Sequence, residues 1–288
     1  SPYQQLLVVP VVKPDVYRLF IVDMSSGSRR EITVPYPPSV QWSPDSRSIF
    51  INLFNRRYIG EVFTITIFVP GLIYDYDTDV LNTLPTEAIS DALWAPDSST
   101  LFFSAQNANP ESGEDIYSVS RDGTNLQRLT DIEYDDGFIT SNTGCGPLTY
   151  RPDIERIYFS GICRLDPLPR GLVFSVSVNG NDLILESDLT EIASNDDASG
   201  IVSPLVDNMT SNASVFVAFD ARAVFPNGDL PVWRIIEVSN GQPNNITLNY
   251  QPGPRFAPTV GSLEVSSFSP TGAYAALAGL NKMVVVDN

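Results

Sequence analysis

The chain has 288 residues, 43% of them hydrophobic, and 34 acidic against 17 basic side chains, which gives a net charge of −17. So acidic a surface repels phosphate backbones and anionic lipids, which disfavours nucleic-acid binding, and no apolar run approaches the ~18 residues that membrane insertion needs. The sequence contains no histidine, which excludes a Ser-His-Asp triad and metal sites built on histidine.

A repeated hairpin runs through the chain. In the clear copies an aromatic residue ends one extended segment, a Pro-Asp turn follows, and a run of Ile, Leu or Phe begins the next segment. Clear copies surround Pro44, Pro96 and Pro152, and weaker copies without the Asp surround Pro2, Pro204 and Pro270. Pro-Asp pairs mark turns, and β-branched and aromatic residues favour strands, so each copy predicts two antiparallel strands.

Two further strands are predicted between successive hairpins. An aromatic-bearing third strand, a polar turn and a short outer strand recur, for example at residues 17–23 and 31–34 and again at 116–119 and 126–130. The hairpin prolines lie 42 to 66 residues apart, and a similar period with four strands per repeat is typical of propeller blades. The sequence therefore predicts an all-β fold, a six-bladed β-propeller of four-stranded antiparallel blades.

We predict one domain for the whole chain. Its blades cover approximately residues 1–36, 37–86, 87–132, 145–188, 198–249 and 262–288. The first blade lacks its innermost strand and the last blade its outermost one, so both are incomplete in this chain. Because open sheet edges invite aggregation, we expect sequence before Ser1, or a neighbouring chain, to close the ring. Residues 56–70 lengthen the second blade and alternate as an additional or extended strand.

The two cysteines, Cys145 and Cys163, flank the turn at Pro152. Residues opposed across that hairpin should have numbers that sum to about 306, which places the two cysteines nearly opposite each other on neighbouring strands. We predict a disulfide between them, and with it an oxidising compartment; two free thiols brought close by the pairing are the alternative.

The Trp-Ser-Pro-Asp type of turn, together with the Asp-Gly and Leu-Thr pairs at residues 122–123 and 129–130, resembles the repeats of the TolB-like propeller family. The resemblance extends over nearly the whole chain, with close matches at Pro44, Pro96 and Pro152. It implies six blades, a location in the periplasm, at the cell surface or outside the cell, and a role as a binding or docking module.

Charged residues of the long connections are the candidate ligand-binding side chains. Glu133, Asp135 and Asp136 lie in one connection, Glu191, Asp196 and Asp197 in a second, and Glu87 and Asp91 in a third. Because outer-to-inner connections share one face of a propeller, and the connection at residues 111–115 should reach the same face, we predict that this face is acidic. Such carboxylates could bind a cationic ligand or remain simply solvated.

Six arginines also lie in insertions outside the repeat. They are Arg56, Arg57, Arg164, Arg170, Arg222 and Arg255. In so acidic a chain they either pair with neighbouring carboxylates or hold an acidic ligand, and both interpretations stay open. Among them, we include Arg164, Arg170, Arg222 and Arg255 in the predicted ligand-binding set.

Two other patterns have a functional and a structural interpretation. Asp75, Asp77 and Asp79 resemble a calcium loop, but Val80 replaces the required Gly and Thr86 the final Glu, so we favour a polar turn. We therefore predict no cofactor, with Ca²⁺ as the remaining alternative. Trp42, Trp94 and Tyr150 occupy one position of the repeat, where packing between blades explains them better than an aromatic binding box.

The leading functional hypothesis is a non-catalytic, exported propeller that binds a protein or glycan partner through its long-loop face. One alternative is a carbohydrate-active lyase or hydrolase, in which paired carboxylates act as acid and base. The other alternative is a structural subunit of a larger surface assembly, whose incomplete blades a neighbour completes.

Overall fold

The structure is a computed structural model. It describes residues 6–13, 16–59, 63–86, 89–106, 114–131, 148–152, 154–165, 168–180, 182–188, 205–209, 214–221, 232–239, 242–246, 264–268, 274–279 and 282–287. The chain divides into two compact units, Ser1–Asp131 and Ile132–Asn288. The single domain and the blade boundaries expected from the sequence stay predictions.

The described residues form twenty-three strands. They are β1 (Leu6–Lys13), β2 (Val16–Asp23), β3 (Arg29–Val34), β4 (Pro38–Trp42), β5 (Ser48–Ile59), β6 (Phe63–Phe68), β7 (Leu72–Asp75), β8 (Val80–Thr83), β9 (Ile89–Trp94), β10 (Thr100–Gln106), β11 (Glu114–Ser120), β12 (Gln127–Arg128), β13 (Thr149–Arg151), β14 (Arg156–Leu165), β15 (Leu168–Ser177), β16 (Ile184–Asp188), β17 (Leu205–Met209), β18 (Ser214–Ala221), β19 (Val232–Ser239), β20 (Gln242–Ile246), β21 (Glu264–Phe268), β22 (Tyr274–Gly279) and β23 (Lys282–Asp287). The described part of the chain contains no helix, and thus none long and apolar enough to cross a membrane.

The strands form six antiparallel sheets in chain order. The first sheet is β1-β2-β3, the second is β4-β5-β7-β8 with β6 added to β5, and the third is β9 to β12. These three belong to the first unit. The fourth sheet is β13 to β16, the fifth is β17 to β20, and the sixth is β21-β22-β23. The fold class is therefore all-β, built largely from four-stranded antiparallel sheets, as the sequence predicts.

The Pro-Asp turns fold the first two strands of a sheet back on each other. Trp42 pairs with Ile49, and Trp94 pairs with Leu101 at the equivalent place in the next sheet. Both turns need one residue with positive φ, Ser46 at 62° and Ser98 at 64°. Small polar residues tolerate this conformation better than β-branched ones, so the serines fit the turn.

The additional strand expected from the alternation after Arg56 is present. Strand β5 is twelve residues long, but its pairing with β4 and β7 covers only its first six residues, up to Leu53. The rest of β5 pairs with β6, from Phe54 opposite Phe68 to Ile59 opposite Phe63. The second sheet thus extends into a two-stranded hairpin.

The second sheet is apolar on both of its faces. Ile49 and Ile51 of β5 pack with Leu19 and Ile21 of β2, whereas Phe50, which points the other way, packs with the third sheet. Successive side chains of a strand point to opposite faces, so the run Ile-Phe-Ile predicts a sheet covered on both sides. The first three sheets therefore stack face to face through two apolar cores.

In the second unit, the innermost strands of neighbouring sheets lie beside one another, β13 next to β17 and β17 next to β21. The fourth sheet has its own buried residues, including Ile157, Phe159 and Val176. The rings of Phe159 and Phe174 stack across β14 and β15 with centroids 5.7 Å apart. Innermost strands that succeed one another in chain order are the arrangement a propeller requires.

Candidate functional site

Each sheet has two unlike ends. We call the turn end the one that carries the Pro-Asp turn and the turn between the third and outer strands. We call the loop end the opposite one, where the second-to-third connection and the connection to the next sheet lie. Since the strands alternate in direction, every connection of a sheet belongs to one of these two ends.

Arg121 organises the turn end between the second and third sheets. Its Nη1 donates to Asp45 Oδ2 at 2.7 Å, and its Nε and Nη2 donate to Asp75 Oδ2 at 3.1 and 3.0 Å. Asp45 lies in the Pro-Asp turn of the second sheet and Asp75 ends β7. One guanidinium of the third sheet thus joins two carboxylates of the second. The arginine side chain is only 23% exposed, so the contact is partly shielded from water.

Both carboxylates are held in the charged form. Burial raises the pKa of Asp45, but hydrogen bonds from Ser43 Oγ and the Arg47 N–H, with the charge of Arg121, lower it below its usual value on balance. The same balance lowers the pKa of Asp75, where Thr78 supplies the hydrogen bonds and Arg121 the charge. The arrangement is a charge-assisted clamp between sheets, with no acid or base poised near neutral pH.

Arg30 makes the corresponding contacts between the first and second sheets. Its guanidinium lies 4.2 Å from the ring centroid of Tyr76 and donates to the Tyr76 carbonyl and to Tyr74 Oη at 3.1 Å. Tyr74 Oη in turn donates to Asp79 Oδ1 at 2.5 Å. The cation rests on an aromatic face and is 38% exposed, so this contact is more open to water than that of Arg121.

The Asp-x-Asp-x-Asp string is a turn, as favoured from the sequence. Asp75 accepts bonds from Thr78 N and Oγ1 and faces Arg121, Asp77 lies 3.6 Å from Arg47, and Asp79 lies near Arg30. The three carboxylates thus face three different arginines. Among the described residues, no three His, Cys, Asp or Glu side chains are grouped so as to hold a metal ion.

The aromatic residues that precede the Pro-Asp turns pack between sheets. Trp94 is buried in the core shared by the second and third sheets, and its Nε1 donates to the Gln41 carbonyl at 3.4 Å. Trp42 packs against the core shared by the first and second sheets. For these two residues the packing interpretation is confirmed.

At the loop end of the third sheet, a fully buried carboxylate anchors the start of a long connection. Asp115 Oδ2 accepts from Arg128 Nε at 3.0 Å and Nη2 at 2.6 Å, and its Oδ1 accepts from Thr130 Oγ1 at 2.9 Å. Thr130 Oγ1 accepts from the Ile116 N–H, and Arg128 also binds Asp131 at 2.5 Å. The network fixes Arg128, Thr130 and Asp131, which precede the predicted ligand residues in the sequence.

Two acidic residues that the sequence analysis assigned to connections lie in strands instead. Asp91 lies within β9, opposite Ser104 of β10, because the pairing of this strand begins already at Ile89. Asp115 lies in β11 and is inaccessible to solvent, because Arg128 and Thr130 enclose its carboxylate. Neither residue is an exposed loop carboxylate, so the third sheet's described residues contribute fewer free acids to the loop end than the sequence suggests.

Two hairpins project beyond their sheets at the loop end. The second sheet extends through β5 and β6, whose outer part carries Arg56 and Arg57. The fourth extends through β14 and β15, where Arg170 is opposite Cys163 and Arg164 is opposite Pro169. The structure thus places Arg164 and Arg170, assigned from the sequence to insertions outside the repeat, on paired strands close to the tip of one hairpin.

The other predicted site residues lie outside the described residues. They are Glu87, Glu133, Asp135, Asp136, Glu191, Asp196, Asp197, Arg222 and Arg255, together with Cys145. The turn beside Pro152 pairs Thr149 with Tyr158 and Arg151 with Arg156, so opposed numbers sum to 307, close to the expected 306. The disulfide between Cys145 and Cys163 stays a prediction.

Sequence reasoning did not identify Arg121 and Arg30 as organising residues. The available signal was local: Arg121 directly precedes the Asp-Gly turn of the third sheet, and Arg30 lies in the Arg-Arg pair that begins β3. A basic residue at a strand end, in a chain with twice as many acids as bases, could have been assigned a carboxylate partner. Which carboxylate is the partner depends on how the sheets stack.

No protein-family model and no curated protein matches the chain. Several solved structures resemble it. Hydrazine synthase of Kuenenia stuttgartiensis is 14% identical over 99% of this chain and 80% of that chain, with a TM-score of 0.56. The β-propeller domain of the trilobed protease from Pyrococcus furiosus is 8% identical over 99% and 83%, with a TM-score of 0.52.

An oligogalacturonate lyase solved with manganese is 12% identical over 96% of this chain and 74% of that chain, with a TM-score of 0.53. At such identities a likeness carries information on the fold and none on the activity. With the described sheets, in which strands follow one another from inside to outside, these similarities show that the chain is a β-propeller.

Proposed function

We propose that this chain is a non-catalytic, exported binding propeller, TolB-like in kind, in which the six sheets are the blades of one ring. It engages a protein or glycan partner through the loop ends of its sheets. The observation that carries the proposal is the contrast between the two ends. The described turn end consists of short turns and paired charges, whereas strands lengthen into projecting hairpins at the loop end.

Projecting hairpins and long connections are where binding residues occur on rigid β scaffolds. The hairpin of β14 and β15 places Arg164 opposite Pro169 and Arg170 opposite Cys163, so the two arginines lie near its tip on opposite faces. An arginine on each face of a projecting hairpin, on an otherwise acidic chain, can hold a partner's carboxylate or sulfate. In the third sheet, the buried Asp115 fixes Arg128 and Thr130 at the loop end.

The test is a binding screen of the whole chain against arrayed extracellular proteins and glycans, followed by the double variant R164E/R170E. We expect a bound class to be found and its binding to fall at least about tenfold in the double variant, since two charge-assisted contacts reverse sign. The matched control is R47E at the turn end, which should bind normally. Binding that R47E abolishes and R164E/R170E leaves intact would contradict the proposal.

A carbohydrate-active enzyme is the second candidate, and the fold likeness to an oligogalacturonate lyase favours it. The chain lacks histidine, so acid and base would have to be carboxylates. Incubation with polygalacturonate, with and without Mn²⁺, separates the candidates. A rise in ultraviolet absorbance from unsaturated products would replace the binding role by a lyase, and its absence together with saturable binding supports the binding role.

A further inference from the structure

The outer strand of the fourth sheet, β16, has an apolar edge in contact with solvent. It pairs with β15 on one side, and no other described strand lies along its second side. Leu183, directly before this strand, and Ile184 and Leu185, its first two residues, are 41%, 44% and 52% exposed. Three consecutive exposed apolar residues mean that both faces of the strand, as well as its edge, meet water.

Three other outer strands, β3, β8 and β12, are protected. Strand β3 has charged residues at Arg29 and Glu31 and buries its apolar Ile32 and Val34. Strand β12 is only two residues long. Strand β8 exposes Val80 and Leu81, but the turn at Gly123 of the third sheet lies directly against its Asn82. Charges, short length and coverage are the usual devices that prevent strands from pairing at an edge. None of them applies to Ile184 and Leu185; the charge of Glu186 and a bulge in the pairing with β15 come directly after these two residues.

The charges around β16 indicate what could pair with it. Asp182 bonds Arg156 at 2.6 Å and the Ser177 N–H at 3.0 Å, and Glu186 accepts from Ser175 Oγ at 2.5 Å. The two acids and one base leave a local negative charge on a chain of net charge −17. A second copy of the chain would bring acid against acid, whereas a basic segment would be attracted and oriented.

We propose that β16 is a docking edge for an extended, basic segment of a partner protein, which adds to the fourth sheet as a further strand. Main-chain hydrogen bonds to the open edge supply the affinity, and alternate apolar side chains of the segment cover Leu183 and Leu185 on one face and Ile184 on the other. This surface is separate from the loop ends, so the inference does not depend on the function proposed above.

Fluorescence anisotropy with the whole chain and a labelled, end-blocked peptide of alternating lysine and valine, about six residues long, tests the proposal. At ~0.15 M salt we expect saturable binding. Strand addition uses both faces, so I184K and L185K should each weaken binding about fivefold. I154K is the control, because Ile154 is also 44% exposed but lies in the turn between β13 and β14. The thermal midpoint of each variant shows that it is folded.

A peptide with its central valine replaced by proline should bind about fivefold more weakly, because proline removes a main-chain donor. Equal binding of this peptide, or equal loss in I154K, would reduce the effect to general charge attraction and overturn the proposal. Weaker binding in only one of I184K and L185K would also overturn the proposal, because it would mean that the peptide docks on one face of the strand and not along its edge. Concentration-dependent dimerisation that L185K abolishes would make a second copy the occupant, and no binding at all would leave β16 without this role.

Discussion

Two junctions in the first unit join similar sheets by different means. Between the first and second sheets, Arg30 rests on Tyr76 and reaches Asp79 at 3.6 Å, with over a third of its side chain exposed. Between the second and third sheets, Arg121 joins Asp45 and Asp75 with less exposure. The second junction also has Asp45 N bonded to Ser98 Oγ and Asn52 Nδ2 bonded to the Ile89 carbonyl.

The difference shows how a repeat can keep one architecture while its junctions vary in strength. In both cases an apolar core separates the sheets, and an arginine at the turn end fixes their relative position. A guanidinium that is partly buried between two carboxylates cannot be removed without leaving charges poorly solvated. A guanidinium on an open aromatic face can be replaced at small cost, because water compensates for what is lost.

The largest effect is expected from Arg121→Ala. It leaves Asp45 and Asp75 facing each other's charge without a cation, and we expect a loss of about 2 to 3 kcal/mol in the free energy of unfolding. Arg121→Lys should recover only part of this lost stability, because a single ammonium group lacks the forked donors that bind two carboxylates at once. Urea unfolding followed by tryptophan fluorescence measures the change. The control is Arg47→Ala, whose partner Asp77 is 3.6 Å away at an exposed site, with a change below about 0.5 kcal/mol.

Gly71→Ala tests how closely the second and third sheets approach. A Cβ at this position would lie 2.8 Å from Ile89 Cδ1 and 2.8 Å from Phe50 Cε2, so the side chains must move, at a cost of about 1 to 2 kcal/mol. Ile89→Val removes the Cδ1 atom and should restore part of this loss. In a double-mutant cycle we expect a favourable coupling between the two substitutions; strictly additive losses would show that the sheets separate freely.

The two carboxylates should make the Arg121 junction sensitive to acid. Their pKa values are lowered in the folded protein, so their contribution is present above the usual carboxyl value of about 4 and is lost as pH falls through the folded values. The stability advantage of the natural chain over Arg121→Ala should therefore shrink below about pH 4. Urea midpoints of both proteins between neutral pH and that region measure it. An advantage that persists unchanged at low pH would mean that Arg121 acts by packing alone.

Asp23 provides a comparison for the acid experiment. Hydrogen bonds from Ser25 Oγ and the Ser25 N–H lower the pKa of Asp23 to about 2, but this carboxylate lies in an exposed turn of the first sheet. Asp23→Asn removes the titrating group without touching the junction. We expect the difference between the natural chain and Arg121→Ala to depend on pH in the same way with either residue at this position.

Much of the fold could be predicted because local chemistry determines it. The Pro-Asp turns fix the register around Trp42 and Trp94, and alternating residues predict β6. Partners across a junction could not be predicted: Asp45 and Asp97 occupy the same position of the motif, yet Asp45 faces Arg121 while Asp97 accepts bonds from Ser99 of its own turn. Asp91 was misplaced because the start of β9 lacks the aromatic pattern of the repeat.

The candidate site was the least predictable part, for a related physical reason. A blade needs large apolar residues at set positions, so the repeat reveals them, whereas connections at the loop end are free of that constraint. Arg164 and Arg170 therefore looked like residues of insertions outside the repeat, although they lie on the regularly paired strands β14 and β15, near the tip of one hairpin. Asp115 looked like an exposed acid, because the sequence does not reveal that Arg128 and Thr130 enclose it.

The smallest predicted effect concerns the first junction and completes its comparison with the second. Arg30→Lys keeps the charge near Asp79 but loses the planar stacking on Tyr76 and the hydrogen bond to Tyr74. We expect the free energy of unfolding to fall by about 0.5 to 1 kcal/mol. Tyr76→Leu removes the ring while keeping an apolar side chain, and the double variant should lose less than the sum of the two. Urea unfolding at neutral pH gives the coupling. A coupling energy as large as the loss in Arg121→Ala would show that exposure does not distinguish the junctions; a coupling of zero would assign the contribution of Arg30 to its hydrogen bonds with Tyr74 and the Tyr76 carbonyl.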